Sequence, residues 1–232
     1  MYGYEGLKAF NYTINYALGR GMVVIADCKR NDIGSTAGCY ATAYLGRTKI
    51  NEKKMRAFPA DMITVNGYLG TDGVAPFIEE CKACNKGAFV LVKTSNPSSG
   101  EIQDLKLENG EKVYERMGAL VEEWGKDLVG SYGYSDIGAV VGATYPEQGA
   151  ELRKKLPHTF FLIPGYGAQG GSAEGIKGCF DSRGLGGIVN NSRGIICAYR
   201  KPRYSGMSYW EAARAACLDM REDLRKVLGK MG

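Results

Sequence analysis

The sequence predicts an α/β fold in which parallel strands alternate with helices. Short apolar runs, partly β-branched and without polar alternation, have the character of buried parallel strands. They cover residues 22–28, 62–66, 88–94, 137–142, 159–164 and 187–190. Helix-like segments separate them at 35–45, 74–84, 113–129, 146–156 and 173–180, and a long charged amphipathic helix at 208–228 closes the chain. Repeated strand–helix units of this spacing are typical of a parallel sheet covered by helices.

Such units form either an open sheet or a closed barrel. No Gly-x-Gly-x-x-Gly follows the first strand, which counts against a dinucleotide-binding open sheet. Polar residues follow the carboxyl ends of many successive strands. This favours a barrel, because the carboxyl ends of all its strands lie at the same end of the barrel, where active sites form. We therefore expect a (β/α)₈ barrel of the TIM type in one domain over residues 1–232.

The number of strands is smaller than the eight that this barrel needs. The chain also begins on a helix, since Leu7, Phe10, Ile14 and Leu18 recur at helical spacing and Gly19 ends the segment. The sequence therefore predicts an incomplete barrel that lacks the first strand, the first helix and the second strand.

Composition restricts the class of partner. The 232 residues carry a formal charge of +5, which fits an anionic small substrate. The densest basic run, at 47–56, is interpreted as a solvated connection. The alternative is a nucleic-acid patch, which is disfavoured because no aromatic residues interleave with it. No apolar run reaches the roughly 18 residues of a membrane span, so neither nucleic acid nor membrane is an expected partner.

Cysteine and histidine usage indicates the compartment and excludes some chemistries. Seven cysteines, an odd number, and no apolar N-terminal signal segment predict a reduced, cytoplasmic protein. Cys81 and Cys84 lie in a helix-like segment with no second pair, so we expect buried thiols rather than zinc. His158, the only histidine, precedes a strand and lies at the end of the fold opposite the site, which disfavours a Ser-His-Asp mechanism.

The residues after the first predicted strand have the character of a catalytic site. Asp27 and Lys29 are two apart, so both side chains point to one face of a strand, and Asp32 follows just past its end. Flanking carboxylates favour the ammonium form of Lys29, which suits a general acid. The alternative is a salt-bridged strand end without a catalytic role.

Two late loops predict a phosphate site. Gly165 to Gly171 follows one strand and includes Gln169, and Asn190 to Gly194 follows the next and includes Arg193. Gly-rich backbone exposes N–H groups to an oxyanion, and an arginine can bind phosphate through two hydrogen bonds. In barrels of this type, phosphate commonly binds the loops after the last two strands. Either loop alone could be a simple glycine turn.

The segment around Ser95 ends the middle strand. Thr94, Ser95 and Asn96 offer hydroxyl and amide groups that could read the edge of a heterocycle, or could serve only as a turn or helix cap. The polar stretch from Asn96 to Gly110 reads as a long loop, and loops of this length are often functional lids.

These segments, in this order, resemble the orotidine 5′-phosphate decarboxylases, most closely their longer bacterial subfamily. The resemblance is most specific from Asp27 to Ala37, which reads Asp-Cys-Lys-Arg-Asn-Asp-Ile-Gly-Ser-Thr-Ala, and is reinforced at 94–97, 164–171 and 191–194. It implies cofactor-free, metal-free decarboxylation of orotidine 5′-monophosphate to uridine 5′-monophosphate in pyrimidine biosynthesis, on a (β/α)₈ barrel that works as a homodimer.

The resemblance also implies a role for each site residue. Asp27 would lie beside the substrate carboxylate, and Lys29 would deliver a proton to carbon 6 of the pyrimidine. Asp32 and Thr36 would reach the neighbouring subunit's site, Ile33 would line the carbon dioxide pocket, Ser95 would bind the pyrimidine edge, and Gln169 and Arg193 would hold the phosphate.

One family feature is not found. The family has a further lysine at the end of its second barrel strand, which would lie upstream of Met1, and Lys8 is no substitute because it belongs to the helix before the Asp27 strand. We therefore expect one of three explanations for the missing lysine: a misplaced gene start, a fragment of a longer chain, or a natural truncation. Two alternatives to the decarboxylase therefore stay open. They are a related magnesium-dependent sugar-phosphate decarboxylase or aldolase barrel, and an inactive phosphate-binding fragment.

Overall fold

The computed structural model describes residues 2–167 and 170–229. The strands are β1 (Ile25–Arg30), β2 (Thr48–Ile50), β3 (Lys53–Met55), β4 (Met62–Val65), β5 (Gly87–Lys93), β6 (Ser135–Val141), β7 (Thr159–Ile163) and β8 (Gly187–Val189). In the main sheet the hydrogen-bonded order is β1-β4-β5-β6-β7-β8. The β1–β4, β4–β5 and β7–β8 pairs are parallel. The six strands predicted from apolar runs are thus found, each within a few residues of its expected bounds.

Helices occupy most of the intervals between these strands. They are α1 (Gly3–Leu18), α2 (Gly34–Tyr44), α3 (Thr71–Cys84), α4 (Gly100–Gln103), α5 (Val113–Gly125), α6 (Pro146–Lys155), α7 (Ala173–Ile176), α8 (Ser192–Ile196) and α9 (Tyr209–Leu228). The strand–helix alternation confirms the predicted α/β class. None of the helices within residues 2–167 and 170–229 is long and apolar enough to cross a membrane.

Two predicted connections contain secondary structure. The basic run at 47–56 is solvated, as expected, but its residues form the antiparallel hairpin β2–β3, with every residue exposed. The expected long loop from Asn96 to Gly110 contains a 3₁₀ turn, Pro97–Ser99, and the short helix α4. Apolar periodicity missed both because neither buries a continuous apolar face.

The chain divides into two compact units, the first comprising Met1–Leu91 and Val121–Gly138. In this unit α2 packs on α3. The contact face of α2 buries Ala37 and Ala41, and α3 buries Phe77. Small side chains on one helix allow a neighbouring helix to approach closely. This packing supports the end of β1 that leads directly into α2.

The second unit comprises Val92–Leu120 and Ala139–Gly232. Its core includes Phe161 and Ile163 of β7 and Leu152 of α6, all buried. The N-terminus of α9 is closed by a capping box in which the Ser208 N–H and hydroxyl donate to the Glu211 carboxylate, an arrangement that satisfies helix-end donors. The prediction of a single domain over 1–232 stays a prediction.

A half-buried carboxylate in the first unit predicts a pH-dependent contribution to stability. Asp61 accepts the Val24 N–H at 2.9 Å and the Lys86 ammonium at 2.8 Å. Burial opposes ionisation of Asp61, but these two hydrogen bonds outweigh it and hold its pKa below the ordinary value. We expect Asp61→Asn to lower the free energy of unfolding by about 1–2 kcal/mol at pH 7.

The pH profile of that loss has a defined sign. Because the folded pKa is depressed, the contribution is complete above the unfolded carboxyl pKa of about 4 and is lost as pH falls through the folded value. Urea unfolding at pH 7, 5 and 3 should therefore show the difference between wild type and Asp61→Asn shrinking towards pH 3. Glu108→Gln, at an exposed carboxylate, is the control. A difference that stays constant with pH would contradict the assignment.

Candidate active site

The first cluster joins Asp27, Lys29 and a threonine on the neighbouring strand. The Lys29 Nζ lies 2.5 Å from the Asp27 Oδ1. The Thr64 hydroxyl donates to the same oxygen at 2.9 Å and accepts the Lys29 backbone N–H at 2.9 Å. Thr64 is fully buried in β4, whereas about half of each charged side chain is exposed, 50% for Lys29 and 54% for Asp27. A buried hydroxyl therefore holds a solvent-facing ion pair in place.

The backbone at Lys29 departs from a regular strand. Its φ is +47°, in the left-handed region that non-glycine residues rarely adopt. The pairing of β1 with β4 is irregular between Ala26 and Arg30. Alternation along a strand predicted that Asp27 and Lys29 lie close together. In the structure they do, but the backbone at Lys29 is not that of a regular strand. Strained conformations of this kind cluster at functional sites.

Asp32 is separate from that ion pair. Its Oδ1 accepts the Ile33 N–H at 2.9 Å, and among the described residues no hydrogen bond or ion pair joins it to Lys29. Ile33 is the N-cap of α2 and is 54% exposed, and Thr36 lies exposed in the first turn. The structure thus brings Asp27 and Lys29 together and leaves the partly buried Asp32 and the exposed Ile33 and Thr36 apart from that pair, at the start of α2.

Ser95 is held by the segment that follows β6. The Thr144 hydroxyl donates to the Ser95 carbonyl at 3.1 Å, and the Gly142 N–H donates to the Lys93 carbonyl at 2.7 Å. A Cβ added at Gly142 would lie 2.8 Å from the Ser95 nitrogen, so only glycine permits this approach. Ser95, Pro97, Thr144 and Tyr145 line a cavity. The half-exposed Ser95 therefore stands at the mouth of a pocket on a fixed backbone.

The two glycine-containing loops adjoin one another. The Gly167 N–H donates to the Gly171 carbonyl at 2.8 Å, and a Cβ at Gly167, whose φ is +71°, would lie 3.4 Å from the Asn191 amide. Gln169 lies outside the described residues. Asn191 caps α8 by accepting the Gly194 N–H at 3.1 Å. Gly167, Asn191 and Gly194 line a common cavity.

Arg193 projects from the first turn of α8 into solvent. It is exposed and has no ion pair with any of the described residues. In the preceding glycine-containing loop, the Tyr166 hydroxyl bonds to Asp223 of α9, and burial together with that carboxylate raises the pKa of Tyr166. An exposed guanidinium that has no ion pair among the described residues is suited to binding an anion.

Within residues 2–167 and 170–229, no three histidine, cysteine or acidic side chains lie close enough together to hold a metal ion. Cys81 of the Cys81-x-x-Cys84 pair is buried, and burial raises the pKa of its thiol to about 12. A thiol in that state stays protonated and is a poor metal ligand. Both cysteines lie in α3, as expected, but Cys84 is only partly buried because it is the last residue of the helix.

Comparison with known proteins gives the family. Residues 2–206 match the family model described as orotidine 5′-phosphate decarboxylase / HUMPS family. The chain is 46% identical over 227 residues to the orotidine 5′-phosphate decarboxylase of Caldicellulosiruptor bescii, which covers 98% of this chain and 73% of that protein. The chain belongs to the orotidine 5′-phosphate decarboxylase family. The corresponding protein of Rhodopirellula baltica is 45% identical, over 96% of this chain and 74% of its own length.

A solved structure of the family has the same fold. The OMP decarboxylase of Leishmania donovani superposes with a TM-score of 0.72 at 30% identity, covering 96% of this chain and 76% of that one. The fold class of the chain is therefore the TIM-type α/β barrel of the orotidine 5′-phosphate decarboxylase family, as the sequence predicted.

Sequence reasoning missed three polar residues near the family's motifs. Thr64 lies in the run 62–66 that predicts an apolar strand, where its lone hydroxyl indicates a need for a partner but not which one. Lys93 lies in the apolar run 88–94, and Asp104 lies in the polar stretch from Asn96 to Gly110. The Lys93 ammonium lies 3.0 Å from both Asp104 oxygens, a contact that spacing along the chain does not reveal.

Proposed function

We propose that this chain converts orotidine 5′-monophosphate to uridine 5′-monophosphate and carbon dioxide, as the carboxy-lyase of pyrimidine biosynthesis. The observation that carries the proposal is the Asp27–Lys29 ion pair at 2.5 Å, in a chain that belongs to the orotidine 5′-phosphate decarboxylase family. An ammonium and a carboxylate at the carboxyl end of a barrel strand are positioned for proton transfer to a bound substrate.

The proposed reaction uses Asp27 and Lys29 for different tasks. The bond between carbon 6 and the carboxylate breaks, carbon dioxide leaves, and the electron pair stays on carbon 6. The Lys29 ammonium donates its proton to that carbon, giving the product, and regains a proton from water through its half-exposed side chain. Asp27 lies beside the substrate carboxylate, so that repulsion between like charges falls as carbon dioxide departs.

Binding groups away from the reacting carbon supply the energy for this arrangement. We assign the phosphate to Arg193 and to Gln169, and the pyrimidine edge to Ser95. The exposed guanidinium of Arg193, which has no ion pair within residues 2–167 and 170–229, and the pocket beside Ser95 support these roles. Binding of a remote phosphate can offset the cost of placing the substrate carboxylate next to Asp27.

The assembly we propose is a homodimer with shared sites, in a reducing cytoplasm and without a cofactor or metal. Asp32, Ile33 and Thr36 lie together at the exposed start of α2, which suits residues that serve a neighbouring copy. If each site is shared, mixing Asp32→Asn with Lys29→Ala should restore about a quarter of wild-type activity, because half the dimers are mixed and each holds one intact site. Absence of any recovery after subunit exchange would argue against sharing.

The direct test is turnover by the purified chain. Orotidine 5′-monophosphate is supplied after treatment with a chelator, and both uridine 5′-monophosphate and carbon dioxide are measured. We expect both products in equal amounts, with a rate that the chelator does not change. Loss of turnover on chelation would favour the magnesium-dependent sugar-phosphate alternative. Binding of uridine 5′-monophosphate without turnover would favour the phosphate-binding fragment.

A further inference from the structure

An ion pair between a buried lysine and a partly exposed aspartate lies at the end of β5, one residue before the turn that contains Ser95. Lys93 is fully buried, its Nζ is 3.0 Å from each carboxylate oxygen of Asp104, and it lies 4.5 Å from the centre of the Tyr145 ring. Gln148 donates to the same carboxylate at 3.2 Å. A buried ammonium is costly unless it is paired and hydrogen-bonded, and here both conditions are met.

The residue before Asp104 connects this pair to the turn. The Gln103 Oε1 accepts the Thr94 N–H at 3.0 Å, and its Nε2 donates to the Thr94 hydroxyl at 2.8 Å. That hydroxyl in turn donates to the Asn96 Oδ1 at 2.7 Å. The short helix α4 and the residue after it are therefore tied back to the end of β5 through two side chains.

The other side of the turn is held by Tyr145. Its hydroxyl donates to the Asn96 carbonyl at 3.4 Å and accepts the Ser99 hydroxyl at 3.3 Å. The same ring lies against the Lys93 ammonium. Ser95 thus lies between two residues, Thr94 and Asn96, that are fixed by the network around Lys93, and its own carbonyl is held by Thr144.

The energetics of such a pair favour a positioning role. Replacing a buried ion pair by apolar side chains of similar volume is often neutral for stability, whereas hydrogen-bonded buried networks restrict geometry. Lys93 contributes no exposed atom to the pocket, since it is fully buried, so it cannot contact a ligand itself. Its effect must pass through the residues that it holds.

We propose that Lys93 and Asp104 are positioning residues that fix the Ser95 turn for recognition of the pyrimidine edge. This inference rests on the proposed function, because it takes the ligand of the Ser95 pocket to be a pyrimidine nucleotide. The proposed role affects binding of the pyrimidine base only, so we expect no change in affinity for a sugar phosphate that lacks the base.

The test compares two ligands, uridine 5′-monophosphate and ribose 5-phosphate, which differ only in the base. In the double variant Lys93→Met/Asp104→Leu, we expect the Kd for the nucleotide and the KM for orotidine 5′-monophosphate to rise about tenfold or more, since small displacements of a binding group have effects of this size. The Kd for ribose 5-phosphate should stay within about twofold.

A milder variant guards against misfolding. Gln103→Leu removes both contacts to Thr94 and leaves the ion pair in place. It should raise the nucleotide Kd in the same direction and by a smaller factor. If Lys93→Met/Asp104→Leu does not fold, Gln103→Leu alone decides the result.

The other end of β5 offers a matched control. Lys86, next to the first residue of the strand, pairs with Asp61 at 2.8 Å, and the two side chains are 9% and 28% exposed, against 0% and 33% for Lys93 and Asp104. In Lys86→Met/Asp61→Leu the ratio of the two Kd values should stay at the wild-type value.

The outcomes separate this inference from the proposed function. If wild type converts orotidine 5′-monophosphate but both Lys93→Met/Asp104→Leu and Gln103→Leu bind the nucleotide as tightly as wild type, the positioning role is overturned and the function stands. Equal losses of affinity for both ligands would also overturn it, since they indicate general loosening of the fold. If wild type neither binds the nucleotide nor turns over substrate, both proposals fail.

Discussion

Lys29→Ala should abolish decarboxylation and leave the protein folded and able to bind nucleotide. Removing the proposed proton donor should lower kcat on the order of 1,000-fold or more, the upper range for loss of a positioned general acid. The side chain is half-exposed and its pair with Asp27 is on the surface, so the expected change in the free energy of unfolding is below about 1 kcal/mol. Single-turnover assays, urea unfolding and titration with uridine 5′-monophosphate measure these three quantities.

The matched control is Lys126→Ala. Lys126 also makes a 2.5 Å ion pair, with Glu123, and the two side chains are exposed to a similar degree, 59% and 64%. It should retain wild-type kcat. Thr64→Val should fall between the two, because it removes the hydroxyl that bonds to Asp27 and Lys29 without removing either charge. A Lys29→Ala protein with wild-type turnover would overturn the assigned role.

Arg193→Ala should mainly weaken substrate binding. An exposed guanidinium that makes two charge-assisted hydrogen bonds to phosphate contributes about 3–4 kcal/mol when both are lost, which corresponds to roughly a 100- to 1,000-fold rise in KM or in the Kd for uridine 5′-monophosphate. Stability should not change, because Arg193 has no ion pair among the described residues. Initial-rate kinetics over a wide range of substrate concentration separate KM from kcat.

A ligand without phosphate provides the internal check. The affinity for uridine should be the same in Arg193→Ala and in wild type, because the lost contacts belong to the phosphate. Arg221→Ala, which removes an exposed guanidinium from α9, should leave KM unchanged. If Arg193→Ala leaves the apparent affinity for the nucleotide unchanged, the phosphate site lies elsewhere.

The middle of the sheet was predictable because β4, β5, β6 and β7 are buried on both faces. A strand such as β6 reads as a continuous apolar run, and β4, β5 and β7 are similar, so their positions were found to within a few residues. The long amphipathic helix predicted at 208–228 is found as α9, Tyr209–Leu228. Asp27, Lys29 and Arg193 were predicted as site residues because charged groups lie at or just after the ends of strands, and their roles stay predictions.

What the sequence could not supply were contacts between segments far apart along the chain. Thr64 lies 37 residues from Asp27, and nothing in its own run of apolar residues indicates that its hydroxyl faces a carboxylate. In the sequence, Asp104 is one of many polar residues in its segment. Its contact with Lys93 is seen only in the structure, where it follows α4. The hairpin β2–β3 was not predicted for a different reason. A fully exposed hairpin buries no face, so its sequence shows no alternation of apolar and polar residues.

The left-handed backbone at Lys29 has a consequence for engineering this protein. A φ of +47° suits glycine and disfavours lysine by about 1 kcal/mol or more, while the surface ion pair returns less than that. Lys29→Gly should therefore raise the melting temperature as it removes the proton donor. A library of variants screened only for thermal stability would therefore be enriched in Lys29→Gly, which is stable but is expected to be inactive. Such a screen should be combined with a growth selection that depends on pyrimidine synthesis.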